Sequence, residues 1–374
     1  MLGIGLGTRL LVESVPRLLA ASASIAVAVI IMFVEFGMLW GTLDAQATIA
    51  TLVRGDLLVM NIVRSNLHEW NTIEAIRLAQ IAALPGIDRV SPLYEDHAGI
   101  KSPDDNRVRR IILYGIPPDD IPLELGGGDE TATRLRIPHT FLFDRLSRPI
   151  FGRILPDQDI EIDKSPVRAI GYVGIGPDIV NDGAIVISAG DFLARAPGAK
   201  PIMGVIHLKP GAAPEEARQQ ILSALPADIA VLTPEEARQR ENAFTLRVAP
   251  IGILIGVGVL AGLAIGTLNC YQVLYNEVTD RLPQFATLKA MGFSDGFLRR
   301  VILEQAVVLF VISFAIGMAA SLAVNEVIAW QSALPVRVPG FSAALIALGA
   351  LAMCLAAGLA AVRRVALADP AELY

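Results

Sequence analysis

The chain has 374 residues, of which 53% are hydrophobic and 18% charged, with a formal net charge of -6 and a mean hydropathy of +0.54. That is too apolar for an ordinary soluble protein and too charged to lie wholly inside a bilayer, so a chain part membrane and part soluble is expected. The acidic balance argues against a nucleic-acid binder, which presents a basic surface to phosphates.

Crossing a hydrocarbon core of about 30 Å takes roughly 20 apolar residues in a helix, and four runs are long enough. Behind an N-terminal segment, 1–17, the first spanning helix is expected over 18–40. The triplet Ala45-Gln46-Ala47 looks like a signal-peptidase site, yet the run before it exceeds the roughly 7 to 15 apolar residues of a signal peptide, so it is read as a retained span. Residues 41–245 form a polar stretch, 246–275 the second span, 276–300 a connecting hairpin, 301–327 the third span, 328–340 a short loop, 341–362 the fourth span and 363–374 a tail. Fold class follows: a membrane α-helical protein of four transmembrane helices, with a large mixed α/β extracytoplasmic domain between the first and second. Lysine and arginine are retained on the cytoplasmic side of short flanks. Arg9, Arg17, Arg281, Lys289, Arg299, Arg300, Arg363 and Arg364 fall on one side and Arg337 on the other, which places both termini in the cytoplasm.

In the 41–245 stretch, "DLLVM", "RRIILYGIP", "GAIVIS" and "GVIHLKPG" read as strands between turn residues. Helices are expected near Thr72 to Leu84, near Pro214 to Leu225 behind Pro-Glu-Glu, and from Thr233-Pro234 into the second span, with Glu236 completing a capping box. No catalytic motif stands out: there is no GxSxG or HExxH, and Asp104, Asp105, Asp119 and Asp120 read as solvated loop acids. Cys270 and Cys354 lie in apolar runs, and His68, His97, His139 and His207 lack ligand spacing, so no metal site is expected.

Membrane-embedded polar groups each need an account, because an ionisable group at the bilayer centre costs roughly 2.5–3.5 kcal/mol on insertion scales. Glu35 is placed near the outer interface with its carboxylate toward water, a gating or proton-linked role being the alternative. Glu304 stands four residues after Arg300, an i, i+4 pair that would neutralise it. Gly252, Gly256, Gly258, Gly262 and Gly266 give the second span overlapping GxxxG spacings, suited equally to intrachain packing or to a dimer face.

The hairpin is the most informative stretch. Thr279 to Met291 can form a short amphipathic helix with Leu282, Phe285, Leu288 and Met291 on one face, Gly292 supplies a stop, and Ser294 or Asp295 caps the next helix. Such a helix can dock on another subunit or merely lie on lipid headgroups. The run from Asp280 through "ATLKAMGFSDGFLRR" to Glu304 resembles the signature of the FtsX/MacB-like permease superfamily. More narrowly, "RLLAASASIAVAVIIMFVEFGMLW", "RGDLLVMN", "GIDRVSPLY", "DGAIVIS", "IHLKPG" and "VRRVALADPAELY" resemble the DevC-like exporter permeases, in the same order.

That resemblance implies a non-catalytic permease of the bacterial inner membrane with its large domain periplasmic. It would pair with a second copy, bind a separate ABC ATPase, and work with a periplasmic adaptor and an outer-membrane channel. ATP and Mg would act through that ATPase, the sequence holding no GxxxxGK[ST] loop; Gly3, Gly5 and Gly7 have no lysine partner. In mechanotransmission, ATP binding moves the coupling helices and, through them, the outer domains. Asp280, Arg281, Phe285, Leu288, Lys289, Ala290, Met291, Gly292, Phe293 and Glu304 would make or shape the ATPase contact. An FtsX-like regulator of a cell-wall hydrolase and a lipoprotein-releasing permease share the topology. Glu35 departs from the subfamily, where a neutral polar residue is expected.

Overall fold

A computed structural model describes residues 5–13, 15–64, 66, 69, 71–126, 133–247, 251–281, 283–284, 287 and 291–366. The chain divides into two compact units, one of Met1–Trp40, Ile251–Ile328 and Val336–Tyr374, the other of Gly41–Pro250 with Ala329–Pro335.

The first unit is helical. A short α1 (Leu6–Val12) precedes α2 (Val15–Gln46), which runs on past Trp40 into the second unit. Among the described residues four helices are long and apolar enough to cross a membrane: α2, and three C-terminal helices at Ile251–Asp280, Asp295–Ser332 and Gly340–Ala366. All four outlast their apolar runs, because a helix continues for as long as its backbone stays paired, whether or not the next residues suit lipid. Ile25, Val29, Met32, Leu274, Leu309 and Cys354 belong to their shared core. The thiol of Cys270 points at the backbone carbonyl of Cys354, 4.0 Å away, and both cysteines are free and buried.

In the second unit the described residues form nine strands: β1 (Leu57–Asn61), β2 (Ile87–Lys101), β3 (Val108–Ile116), β4 (Thr140–Asp144), β5 (Asp159–Ile162), β6 (Ser165–Val173), β7 (Ala184–Ser188), β8 (Met203–Leu208) and β9 (Ile229–Leu232). Their order is β3-β7-β4-β6-β5-β2-β8-β1-β9, and β3 also pairs with β2, so six of them close on themselves. The long β2 belongs to both halves: Ile87–Leu93 pairs with β8, and Tyr94–Lys101 with β3. Only β3–β7 and β4–β6 are parallel, which makes the sheet mixed.

Strand β1 shows why a continuous apolar run becomes a strand here. Successive side chains point to opposite faces, and both faces are covered: Leu57 and Val59 enter one core, Leu58 and Met60 another. Helices α3 (Thr48–Leu52), α4 (Ala75–Ala82), α5 (Ala189–Arg195), α6 (Pro214–Ala224) and α7 (Pro234–Arg247) complete the unit. The expected helix at 72–84 is shorter at both ends, while the one opened by Pro214 stops one residue before Leu225. At the start of α7 the capping box forms: the Thr233 hydroxyl accepts from Glu236 N at 3.2 Å, and Glu236 Oε2 accepts from Thr233 N at 2.7 Å. Leu246 and Arg247, expected in the second span, end α7 instead.

The loop expected over 328–340 is helical as far as Ser332, and Ala329–Pro335 belongs to the sheet-bearing unit. Arg148 holds it there, its Nε donating to Ser332 O at 3.1 Å while its guanidinium pairs with Asp182.

Candidate functional site

The three C-terminal helices are α8 (Ile251–Asp280), α9 (Asp295–Ser332) and α10 (Gly340–Ala366). The site is the hairpin between α8 and α9. Thr279 and Asp280, expected in the short helix, instead finish α8. Pro283, Gln284 and Thr287 are helical, and Met291 N donates to Thr287 O at 3.0 Å, one more turn of α type. Gly292 then takes φ +93°, a left-handed conformation that ends a helix and that side chains bearing a Cβ resist. Ser294 restarts the chain: Phe297 N donates to its carbonyl at 3.0 Å. Phe285, Leu288, Lys289 and Ala290, with Leu282 of the expected apolar face, lie outside the described residues.

The described apolar residues of the turn face out. Met291 is 63% exposed and Phe293 43%. Phe293 stacks on Phe297 with ring centroids 4.8 Å apart, and Phe297 packs against buried Val278, Val301, Ile302 and Val362. The turn is thus braced on the helix ends while its outer apolar surface stays open, as a docking surface requires.

The charged candidates turn inward. Arg281 donates from Nε to Glu277 Oε1 at 2.7 Å and from Nη1 to Glu13 Oε2 at 2.9 Å. Glu277 is itself buried at 7% exposure, so its charge is matched where solvent cannot reach it. Glu304 feels the charge of Arg300, as expected from their spacing, and its carboxylate also accepts from Thr8 N at 3.1 Å and from Thr8 Oγ1 at 2.6 Å, in the first turn of α1. The reason is geometric: helix α1 presents amide hydrogens with no partner inside the helix, and a carboxylate satisfies them. Hence Arg281 and Glu304 hold α1 to both ends of the hairpin, Glu13 on one side and Thr8 on the other.

Thr8, Glu13 and Glu277 went unnoticed in the sequence, and so did the use of two N-terminal glycines. A Cβ on Gly5 would collide with the Glu304 carboxylate, and one on Gly7 would stand 2.5 Å from Val301 O. The glycine spacing that leads nowhere as a phosphate loop is the space α1 needs.

In the α8 stripe, a Cβ on Gly258 would collide with the Glu35 carboxylate, one on Gly262 would sit 3.3 Å from Ile31 Cγ2, and one on Gly266 would strike the Met353 sulfur and lie 2.8 Å from Ala28 Cβ. Those three face helices of this chain. Gly256 has open space beside it and Gly252 is half-buried. Glu35 is half-buried above Gly258.

The sheet unit holds a buried charge that sequence reading passed over. Arg64 is fully buried after β1, donating to the carbonyls of Asn66 at 2.9 Å, Asn71 at 3.1 Å and Ile202 at 3.3 Å. Near it, burial pushes the Glu95 carboxyl up to about 7, against the pull of Arg64 and with the repulsion of Asp178 and Asp96. Burial likewise holds the Tyr114 phenol well above its ordinary range. Among the described residues no group of histidine, cysteine and acids is placed to hold a metal ion.

These features define a class: a protein with four long apolar helices among its described residues, a braced hairpin between the second and third of them, α8 and α9, and a mixed-sheet domain. Residues 245–370, about a third of the chain, match the family model of the FtsX-like permease C-terminal domain. The chain is also similar to the periplasmic region of MacB from Actinobacillus actinomycetemcomitans, at 11% identity and a TM-score of 0.38, over 50% of this chain and 92% of that one. A second likeness is to the extracellular domain of the noncanonic ABC-type transporter YknZ from Gram-positive bacteria, at 11% identity and a TM-score of 0.34, over 48% of this chain and 98% of that one. No curated protein matches the chain.

Proposed function

We propose that this chain is the membrane-spanning subunit of an ABC-type exporter, without ATPase activity of its own, that converts ATP hydrolysis in a separate subunit into movement of its outer domain. The observation that carries the reading is the α8–α9 hairpin, which falls inside the segment matching the FtsX-like permease domain and offers Met291 and Phe293 outward from a braced turn. In this reading both termini and the hairpin are cytoplasmic and the sheet unit is periplasmic, at a bacterial inner membrane.

Met291, Gly292 and Phe293, with Phe285, Leu288, Lys289 and Ala290, contact the ATPase. Arg281 and Glu304 act at one remove by fixing the hairpin to α1, and Asp280 borders the contact. ATP and Mg are bound by the ATPase. The permease pairs with a second copy and works with a periplasmic adaptor and an outer-membrane channel, as in the DevC-like exporters it resembles. Open space beside Gly256 supports a second copy there, and the close contacts of Gly258, Gly262 and Gly266 support intrachain packing.

The test is affinity purification of the tagged chain in mild detergent with mass spectrometry of its partners, beside a Met291→Asp, Gly292→Pro double variant. Recovery of an ABC ATPase and an adaptor, with the ATPase lost from the variant, is the expected result. An ATPase recovered with a cell-wall hydrolase would move the assignment to a regulator that transports nothing, and no ATPase at all would end it.

A further inference from the structure

The six strands that close on themselves share one apolar core, to which each of β2 to β7 contributes. Helix α5 lies against it: Phe192 is buried there, and a Cβ on Gly115 of β3 would stand 2.7 Å from its ring. Next to α5 the core is left unfilled. A pocket of about 240 Å³ is lined by Leu113, Ile162, Val167 and Ile187, from β3, β5, β6 and β7, and by Ala194 of α5. An apolar cavity of about 150 Å³ is enough to take up benzene, so there is room for one ring and a substituent.

Leu113, Ile162 and Ile187 are buried, whereas His139, Ser165, Ala194 and Arg195 are exposed, which gives the pocket an apolar floor and a polar mouth. The mouth is held in shape. His139 N donates to Asp191 Oδ2 at 3.0 Å, and Arg168 N donates to His139 O at 2.9 Å. Between them His139 keeps φ +57°, a conformation uncommon for a residue with a Cβ and of a kind that gathers at ligand sites. Arg195 is paired with Asp163, and Asp191 is a second carboxylate at the mouth, so an anionic ligand finds no lysine or arginine without a partner among the described residues of the wall. The Ser165 hydroxyl and the His139 imidazole offer hydrogen bonds in place of a fixed charge.

We propose that this pocket binds an uncharged compound of single-ring size that carries one hydroxyl group. Its ring lies against Leu113, Val167 and Ile187, and its hydroxyl bonds at the mouth to His139 and Ser165. The site lies wholly within the sheet unit and does not depend on the exporter reading.

The full-length chain in detergent is titrated with 4-fluorophenol, fluorobenzene, 4-fluorobenzoate or 4-fluorobenzylammonium, and binding is read as fluorine NMR line broadening. Variants in the same detergent control for uptake by micelles. Wild type is expected to bind 4-fluorophenol about tenfold more tightly than either charged probe, since a charge resists leaving water for an apolar floor. Ala194→Phe on α5 and Val167→Phe on β6 fill the pocket from two different elements, and each weakens 4-fluorophenol about tenfold. His139→Gly, which suits the backbone there, combined with Ser165→Ala weakens 4-fluorophenol about fivefold, the scale of one hydrogen bond, and leaves fluorobenzene unchanged. Wild-type affinity for 4-fluorophenol in both filled variants, an unchanged affinity in the double variant, or a charged probe bound as tightly as the phenol would overturn the proposal.

Discussion

Glu95→Gln tests the electrostatics of the sheet unit through their dependence on pH. In the folded chain the Glu95 carboxyl keeps its proton up to about 7, while its ordinary value is 4.5. Between those values the folded state holds a proton that the unfolded state has released, so stability falls as pH rises through this window and levels off above it. A gap of about 2.5 units corresponds to roughly 3 kcal/mol as an upper bound. Glu95 keeps some contact with solvent, and about half that figure is expected. Glutamine resembles the protonated acid and does not ionise. The variant should therefore match wild type near pH 4.5 and exceed it by about 1–2 kcal/mol at pH 8, read as thermal unfolding of the detergent-solubilised chain across that range. The opposite result is equally definite. If Glu95 is ionised throughout as a partner of Arg64, removing its charge at pH 8 takes one carboxylate from a buried guanidinium that also feels Glu241 and Glu69, and the variant is less stable than wild type instead of more.

Gly266→Leu should destabilise the helical unit by more than about 2 kcal/mol through overpacking against Met353 and Ala28, whereas Gly256→Leu, with open space beside it, should leave the melting of the monomer unchanged; a size-exclusion shift in the second variant alone would mark Gly256 as a subunit contact. Asp144→Asn should cost about 2 kcal/mol, because the buried carboxylate accepts from Leu146 N, Ser147 Oγ, Ile175 N and Gly176 N and an amide has one oxygen to offer them; chemical denaturation of the variant against wild type measures this. Glu304→Ala should free α1, and with about 1.5 kcal/mol of charged hydrogen bonding lost, cleavage by trypsin after Arg9 should quicken about tenfold.

What the sequence discloses about this fold follows from how local each signal is. Strand β1 is legible because two cores cover it and its run is unbroken. Strand β2 is not, since Asp88, Arg89, Pro92, Glu95 and Asp96 interrupt its pattern, and its role in two half-sheets depends on partners far along the chain. The capping box of α7 spans four residues and is read directly. The hairpin divides along the same line. Gly292 and Ser294 act on their own neighbours and can be placed from sequence, but Arg281 meets Glu13 across 268 positions and Glu304 meets Thr8 across 296. A charge whose partner lies so far along the chain shows in the sequence only its near neighbours, as Glu304 shows Arg300 and not Thr8.

Those two long-range ties change what the hairpin can be asked to do. A docking helix joined only to α8 and α9 would pass a push to those two helices. Under the proposed function the same push would reach α1 at Thr8 and at Glu13, and α1 leads within two residues into α2, which continues to Gln46 in the sheet-bearing part of the chain. Gly7 admits no side chain where the backbone carbonyl of Val301 presses on α1, and a Cβ on Gly5 would displace the Glu304 carboxylate, so close backbone approach supports the tie as well as charge. The load path that would carry a partner's motion therefore includes the N-terminal helix, an element whose sequence signature is no more than two glycines, a threonine and an acid.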